Sequence, residues 1–243
     1  MLTDILARVL IILLITPVVF VAIKTSWAFN IHRLFLIAGL FILDIIWFNL
    51  PVDVFKNSVW TWQATIIGTL WNLFFIYYLS RIPAKEFGLT TSMKTGSVKP
   101  IIMMTMVWAP ALFFIFYFFY GHRVPTWEAF FYNLTMPGIS EELLYRGIFL
   151  TILNRIFTVR WKFLKADIGW GLIIVTVLYA LVNAVRLRDI ASFQVTFDSI
   201  IFLFTIFSGF IFGYVKEKTG NLFASMACHN LWNTLVETAQ AIN

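Results

Sequence analysis

Residues 5–23 read ILARVLIILLITPVVFVAI. The length of this run decides the fold, because about 20 consecutive apolar residues wound as a helix match the hydrocarbon thickness of a bilayer. A secretory signal would carry a basic segment ahead of such a run and small residues at a cleavage site behind it. Neither is clear here, and more apolar runs follow, so 5–23 is read as a retained first crossing. Further crossings are expected near 34–50, 61–79, 100–120, 126–157, 168–185, 196–215 and 219–239. The fold class is therefore all-α: a polytopic integral membrane helical bundle of about eight transmembrane helices. Residues 1–243 form one transmembrane domain with a core at 130–239.

Composition points the same way. The 243-residue chain is 60% hydrophobic and 12% charged, and 27 of its residues are Phe. Soluble domains carry roughly 25% charged residues, so this chain lacks the polar groups to cover a water-facing surface. The fifth run is too long for a simple crossing. Pro137 and Gly138 interrupt it, which predicts a tilted or broken helix. The longest connection, Ser80 to Lys99, is basic, and its RIPAKEFGL is weakly amphipathic. Cys228 is the single cysteine, so no internal disulfide can form.

The formal charge of +6 does not mark a nucleic-acid protein, since the cations are scattered between apolar runs rather than gathered on one solvated face. They are distributed by side. Loops after crossings one, three, five and seven carry Lys24, Arg33, Arg81, Lys85, Lys94, Lys99, Arg155, Arg160, Lys162, Lys165, Lys216 and Lys218. The opposite side carries Arg8, Lys56, Arg123, Arg186 and Arg188. Twelve against five places the first set in the cytoplasm and both termini outside it, in a multi-pass protein of the cell membrane.

Ionisable groups inside apolar segments are costly in lipid and face the bundle interior. MPGISEELLYRGIFL, residues 136–150, holds Glu141, Glu142 and Arg146. Glu142 and Arg146 stand four apart, on one helix face. Glu141 is turned about 100° away, toward a different space such as a water-filled cavity, where it can serve as a general base. PGIS reads as a helix restart with Ser140 as N-cap, which would put both glutamates at a favourable dipole end. The same spacing also suits a purely structural ion pair. GNLFASMACHNLWNTLVE, residues 220–237, holds His229, Asn230 and Asn233. His229 and Asn233 share a face as a donor pair or as interhelical glue. VLYALVNAVRL, residues 177–187, puts Tyr179 and Asn183 on one face, where a packing role suffices. His32 and His122 read as surface histidines.

EELLYR at 141–146 and HNLWN at 229–233, in that order and in a polytopic chain, resemble the CPBP family of CAAX proteases and bacteriocin-processing proteins. That family's pattern is Glu-Glu-x-x-x-Arg, then Phe-x-x-x-His, then His-x-x-x-Asn or Asp. The resemblance covers about residues 80–239. It implies a CAAX prenyl endopeptidase-like bundle in which Glu141 activates water, Glu142 and Arg146 support it, and His229 and Asn233 hold the oxyanion. The second motif departs: Tyr179-x-x-x-Asn183 keeps a ring but replaces an imidazole by an amide, which cannot relay a proton near neutral pH. A divalent metal such as zinc would have Glu141 and His229 as candidate ligands, but zinc usually takes three protein donors, and no metal is assigned. The implied partners are the lipid bilayer and a membrane-associated peptide or protein substrate, with no nucleic acid. Two other readings stay open. One is a weak or inactive homologue that acts by binding a peptide or partner, as in bacteriocin self-immunity. The other is a transporter, which should show two halves with matched broken helices.

Overall fold

The computed structural model describes residues 2–25, 31–49, 61–119, 121–124 and 126–242. Among these, eight continuous helical runs occur. They begin with α1 (Leu2–Thr25) and α2 (Ile31–Phe48). Next, α3 (Trp62–Phe74) runs on through a wider π turn, Phe75–Leu79, and α4 (Val98–Phe119) follows. The fifth run joins α5 (Trp127–Glu142), a π turn at Leu143–Phe149, and α6 (Leu150–Ile156). The last three are α7 (Trp170–Ala184), α8 (Ser199–Thr219) and α9 (Leu222–Ile242). The bundle is helical apart from two antiparallel hairpins that bracket α7. These are β1 (Arg160–Phe163) with β2 (Ala166–Gly169), and β3 (Val185–Asp189) with β4 (Gln194–Phe197).

Four helices, α1, α2, α4 and α8, are long and apolar enough to cross a membrane by length and composition. Their outer faces are apolar: Met106, Val107, Phe118 and Phe119 of α4 are all exposed. The interior holds the charge, with Glu142, Arg146 and His229 buried. Apolar outside and ionised inside is the inverse of a water-soluble fold, and it suits a lipid solvent. Close helix approach supports this interior. At Gly213 a Cβ would run into the Leu172 side chain, so α8 lies directly against α7.

The Ser80–Lys99 connection contains one 3-10 turn, Ala84–Phe87, with Phe87 fully buried, rather than an interfacial helix. It is fastened to the α8–α9 turn. The Leu222 amide donates to the Gly88 carbonyl at 2.9 Å, and Asn221 Nδ2 donates to the Thr90 carbonyl at 2.5 Å. Gly88 has φ +87°, and a Cβ there would sit 2.9 Å from the Leu222 nitrogen, so this fastening requires glycine.

Two expectations need correction. The fifth run does not restart at PGIS: α5 passes through Pro137 unbroken, and its N-cap is Thr126, whose Oγ1 accepts the Ala129 amide at 3.0 Å. A proline is tolerated in a membrane helix when a neighbour satisfies freed backbone groups. Here Asn230 Oδ1 of α9 accepts the Gly138 amide at 2.8 Å. The irregularity is displaced to the π turn beyond the glutamates. Ser140 is therefore a buried mid-helix residue, and Glu141 and Glu142 close α5 instead of opening a helix. The second correction concerns Arg8. Counted among the cations that mark one side, it is buried in α1, 3.2 Å from Asp44 of α2, and Lys216 and Lys218, expected in a loop, are buried within α8. Of the other cations counted by side, Lys56 lies outside the described residues.

Candidate active site

Glu142 is the most enclosed carboxylate of the site, with no exposed surface. Arg146, one helical turn along, donates from Nη1 to Glu142 Oε1 at 2.9 Å and from Nη2 to the Gly209 carbonyl at 3.0 Å. Its guanidinium lies 4.5 Å from the ring centre of Tyr179 and 5.6 Å from that of Phe212. A Cβ on Gly209 would stand 3.1 Å from Tyr179 and 3.2 Å from Arg146 Nη2, so the small residue admits the guanidinium to the backbone. Ser225 Oγ reaches the other oxygen of Glu142 at 2.5 Å. His229 Nδ1 lies 2.9 Å from Glu142 Oε1. A buried charge pair needs its remaining lone pairs and protons satisfied. Glu142 meets that condition through Arg146 of its own run and Ser225 and His229 of α9, whereas Arg146 Nε has no hydrogen-bond partner among the described residues.

Glu141 differs in every respect. Its side chain is 37% exposed, and its Oε2 lies 3.9 Å from His229 Nε2, beyond hydrogen-bond range. It lines a cavity of about 330 Å³ whose walls also include Asn133, Tyr179, Asn183, His229 and Asn233. A smaller cavity, about 160 Å³, lies on the other side of Glu141, Tyr179 and Asn183 and is walled by Arg8, Asp44, Ser140 and Tyr145. Helices α5, α7 and α9 thus bring Glu141, Asn183, His229 and Asn233 to one internal space.

The details differ among the four. Asn183 Nδ2 donates back to the Tyr179 carbonyl at 2.9 Å, within its own helix, which leaves Oδ1 and the second Nδ2 hydrogen for other partners. Asn233 makes no side-chain hydrogen bond among the described residues and lines the cavity, so its amide can donate into it. Phe212 stacks on His229 with centroids 4.6 Å apart and planes 13° from parallel. Ser225, Phe212 and Gly209 are functional neighbours that sequence reasoning missed. Ser225 alone left a signal, four residues before His229 on the same face of α9.

The donors do not fit a zinc site. Among the described residues no group of three or more His, Cys, Asp or Glu side chains could hold a metal. Glu142 is already taken up by Arg146, Ser225 and His229, which leaves Glu141 and His229 as two donors where three are usual.

Fold and site together define a multi-pass membrane protein with an enclosed polar centre. Residues 123–235 match the family model described as type II CAAX prenyl endopeptidase Rce1-like. That stretch, which includes Glu141 through Asn233, is similar to type II CAAX prenyl endopeptidases. No curated protein and no solved structure matches the chain.

Proposed function

We propose that this protein is a membrane-embedded endopeptidase that hydrolyses a peptide bond in a membrane-associated peptide or protein. The observation that carries the reading is the division of labour between adjacent carboxylates. Glu142 is saturated with donors and buried, while Glu141 is half-exposed on a cavity roomy enough for water and a peptide carbonyl. Glu141 takes a proton from water, and the oxygen attacks the carbonyl carbon. The Asn233 amide donates to the oxyanion, a contribution typically of about 3–4 kcal/mol. The transferred proton then passes to the leaving amine. Asn183, through its second Nδ2 hydrogen, donates to the water and so orients it. Residues 130–239 form the catalytic-like core.

The second reading is a homologue that binds a peptide or partner without cleaving it, as in bacteriocin self-immunity. The amide at 183, turned back on its own helix, favours it. Cleavage of one peptide by purified wild type, Glu141→Gln and Asn183→His separates the two. The peptidase reading expects loss of turnover in Glu141→Gln with the fold intact, and a higher rate near neutral pH in Asn183→His. Equal rates in wild type and Glu141→Gln would remove Glu141 from the chemistry. Binding without turnover in every variant would favour the second reading.

The orientation belongs to the same proposal. With Arg8 buried on one side of the count and Lys216 and Lys218 buried in α8 on the other, twelve minus two stands against five minus one, ten against four, and the β1–β2 hairpin faces the cytoplasm of a cell-membrane protein. In a Cys228→Ser background, Lys162→Cys should resist impermeant thiol reagents in intact cells and react after lysis. Ready labelling in intact cells reverses the topology.

A further inference from the structure

We infer that His229 presents an unprotonated Nε2 to the cavity, as a proton acceptor that shares the water with Glu141. The argument runs from charge to proton placement. Arg146 keeps its charge under all ordinary conditions and has no exposed surface. An uncompensated buried cation is strongly unfavourable, so its partner Glu142, also without exposed surface, is ionised. An ionised carboxylate has no proton to give. The 2.9 Å contact between His229 Nδ1 and Glu142 Oε1 is therefore a donation from Nδ1–H. A neutral imidazole with its proton on Nδ1 offers a lone pair at Nε2. The Phe212 ring, stacked at 4.6 Å, and the hydrogen bond to Glu142 hold the ring against flipping.

Nε2 then faces Glu141 Oε2 at 3.9 Å. That gap is too long for a direct hydrogen bond but suits one water donating to both at about 2.8 Å. Both protons of that water point at acceptors, and its lone pairs face the cavity. Position 183 supplies an amide that takes up no proton, so among the described residues lining this cavity His229 is the one imidazole. The chemical part of the inference rests on the peptidase reading. As the O–C bond forms, Glu141 takes one water proton while the other stays hydrogen-bonded to Nε2. As the C–N bond breaks, Glu141 gives its proton to the amine nitrogen. Nε2 takes the second proton from the new carboxyl group, which leaves as a carboxylate. The oxyanion is left to Asn233, because a neutral Nε2 has nothing to donate.

The chain has three histidines, so a protein labelled with ¹⁵N-histidine gives a short spectrum, and loss of signals in His229→Gln assigns them. At neutral pH in micelles, the expected result is a protonated Nδ1 and an imine-type Nε2 for His229. A protonated Nε2 overturns the inference. A second arm uses chemistry: glutamine can donate a hydrogen bond but takes up no proton. His229→Gln should fall by roughly 10²–10⁴-fold in turnover, with peptide affinity kept. Retention of most of the rate would make His229 a donor and overturn the inference. Wild-type protein that shows the expected tautomer yet cleaves no peptide would support the proton placement and sink the peptidase reading instead.

Discussion

Among the described residues, two ion pairs inside this bundle are built differently. Glu142 and Arg146 come from one helical run, four residues apart, with neither side chain exposed. Each finds further partners on α8 or α9. Arg8 and Asp44 join α1 to α2 at 3.2 Å, with side chains 9% and 12% exposed. Arg8 reaches the Tyr145 hydroxyl at a long 3.3 Å and lies over the Phe41 ring. The first pair is a closed network in which no member can be removed without stranding a charge. The second borders the smaller cavity, where water can replace a lost partner. The first lies inside the family-matched stretch, and the second comes from the segment before it. Burial and the number of partners, more than the charges themselves, decide what each pair contributes.

The comparison can be broken most directly at Arg146. Arg146→Met leaves Glu142 buried beside Ser225 and His229 with no cation, and should cost about 3–5 kcal/mol. Loss of folded protein or a large drop in melting temperature in detergent is the expected result. A melt like that of the wild type would show that Glu142 can be protonated at little cost, which would also undermine the placement of the His229 proton. Arg8→Met should cost less, about 1–3 kcal/mol, because Asp44 retains access to the smaller cavity. A loss as large as that for Arg146→Met would mean that the two pairs are equivalent. The smallest effect belongs to an exposed pair, Lys162 with Asp167 on the β1–β2 hairpin, 2.6 Å apart. The hydrogen bond from Lys162 holds the Asp167 carboxyl below its ordinary value of 3.8. A lowered carboxyl stabilises the fold above that ordinary value, and the contribution fades as pH falls through the folded value. Lys162→Ala should therefore shift the melting point slightly at neutral pH and low salt, and not at all in strong acid or high salt. A large shift at physiological salt would contradict the ranking by burial.

What was legible in the sequence follows the same division. Glu142 with Arg146 could be read because the pairing is local and obeys helix spacing. The eight apolar runs could be read because each declares itself within about 20 residues. Arg8 with Asp44 could not, since nothing in spacing couples residues on separate helices, and Arg8 near the start of a run looked like a flanking cation. The expected restart at Pro137 failed for a related reason. The proline rule is local, and the group that makes the proline tolerable, Asn230, arrives from α9. The two hairpins hid in segments read as loops or crossing ends, each strand being only four or five residues long. In the candidate site, the motif residues were visible, but their proton states were not. Those follow from which side chains enclose Glu142, a property of packing alone.

The π turn at Leu143–Phe149 has a consequence for how this chain can change over generations. A π turn accommodates one residue more than an α-helix of the same rise. Deleting one residue between Arg146 and Leu150 could therefore be absorbed by tightening the turn, without breaking the rod. Everything beyond it would then keep its place relative to the glutamates. Asn154 would still hold Glu217, at 2.5 Å, and Glu142 and Arg146 would stay together. A deletion anywhere else in the fifth helical run has no such reserve and would turn the rest of the rod by about 100°. The π turn is thus a spare link, the one place in this run where the chain can lose a residue and leave both ends seated.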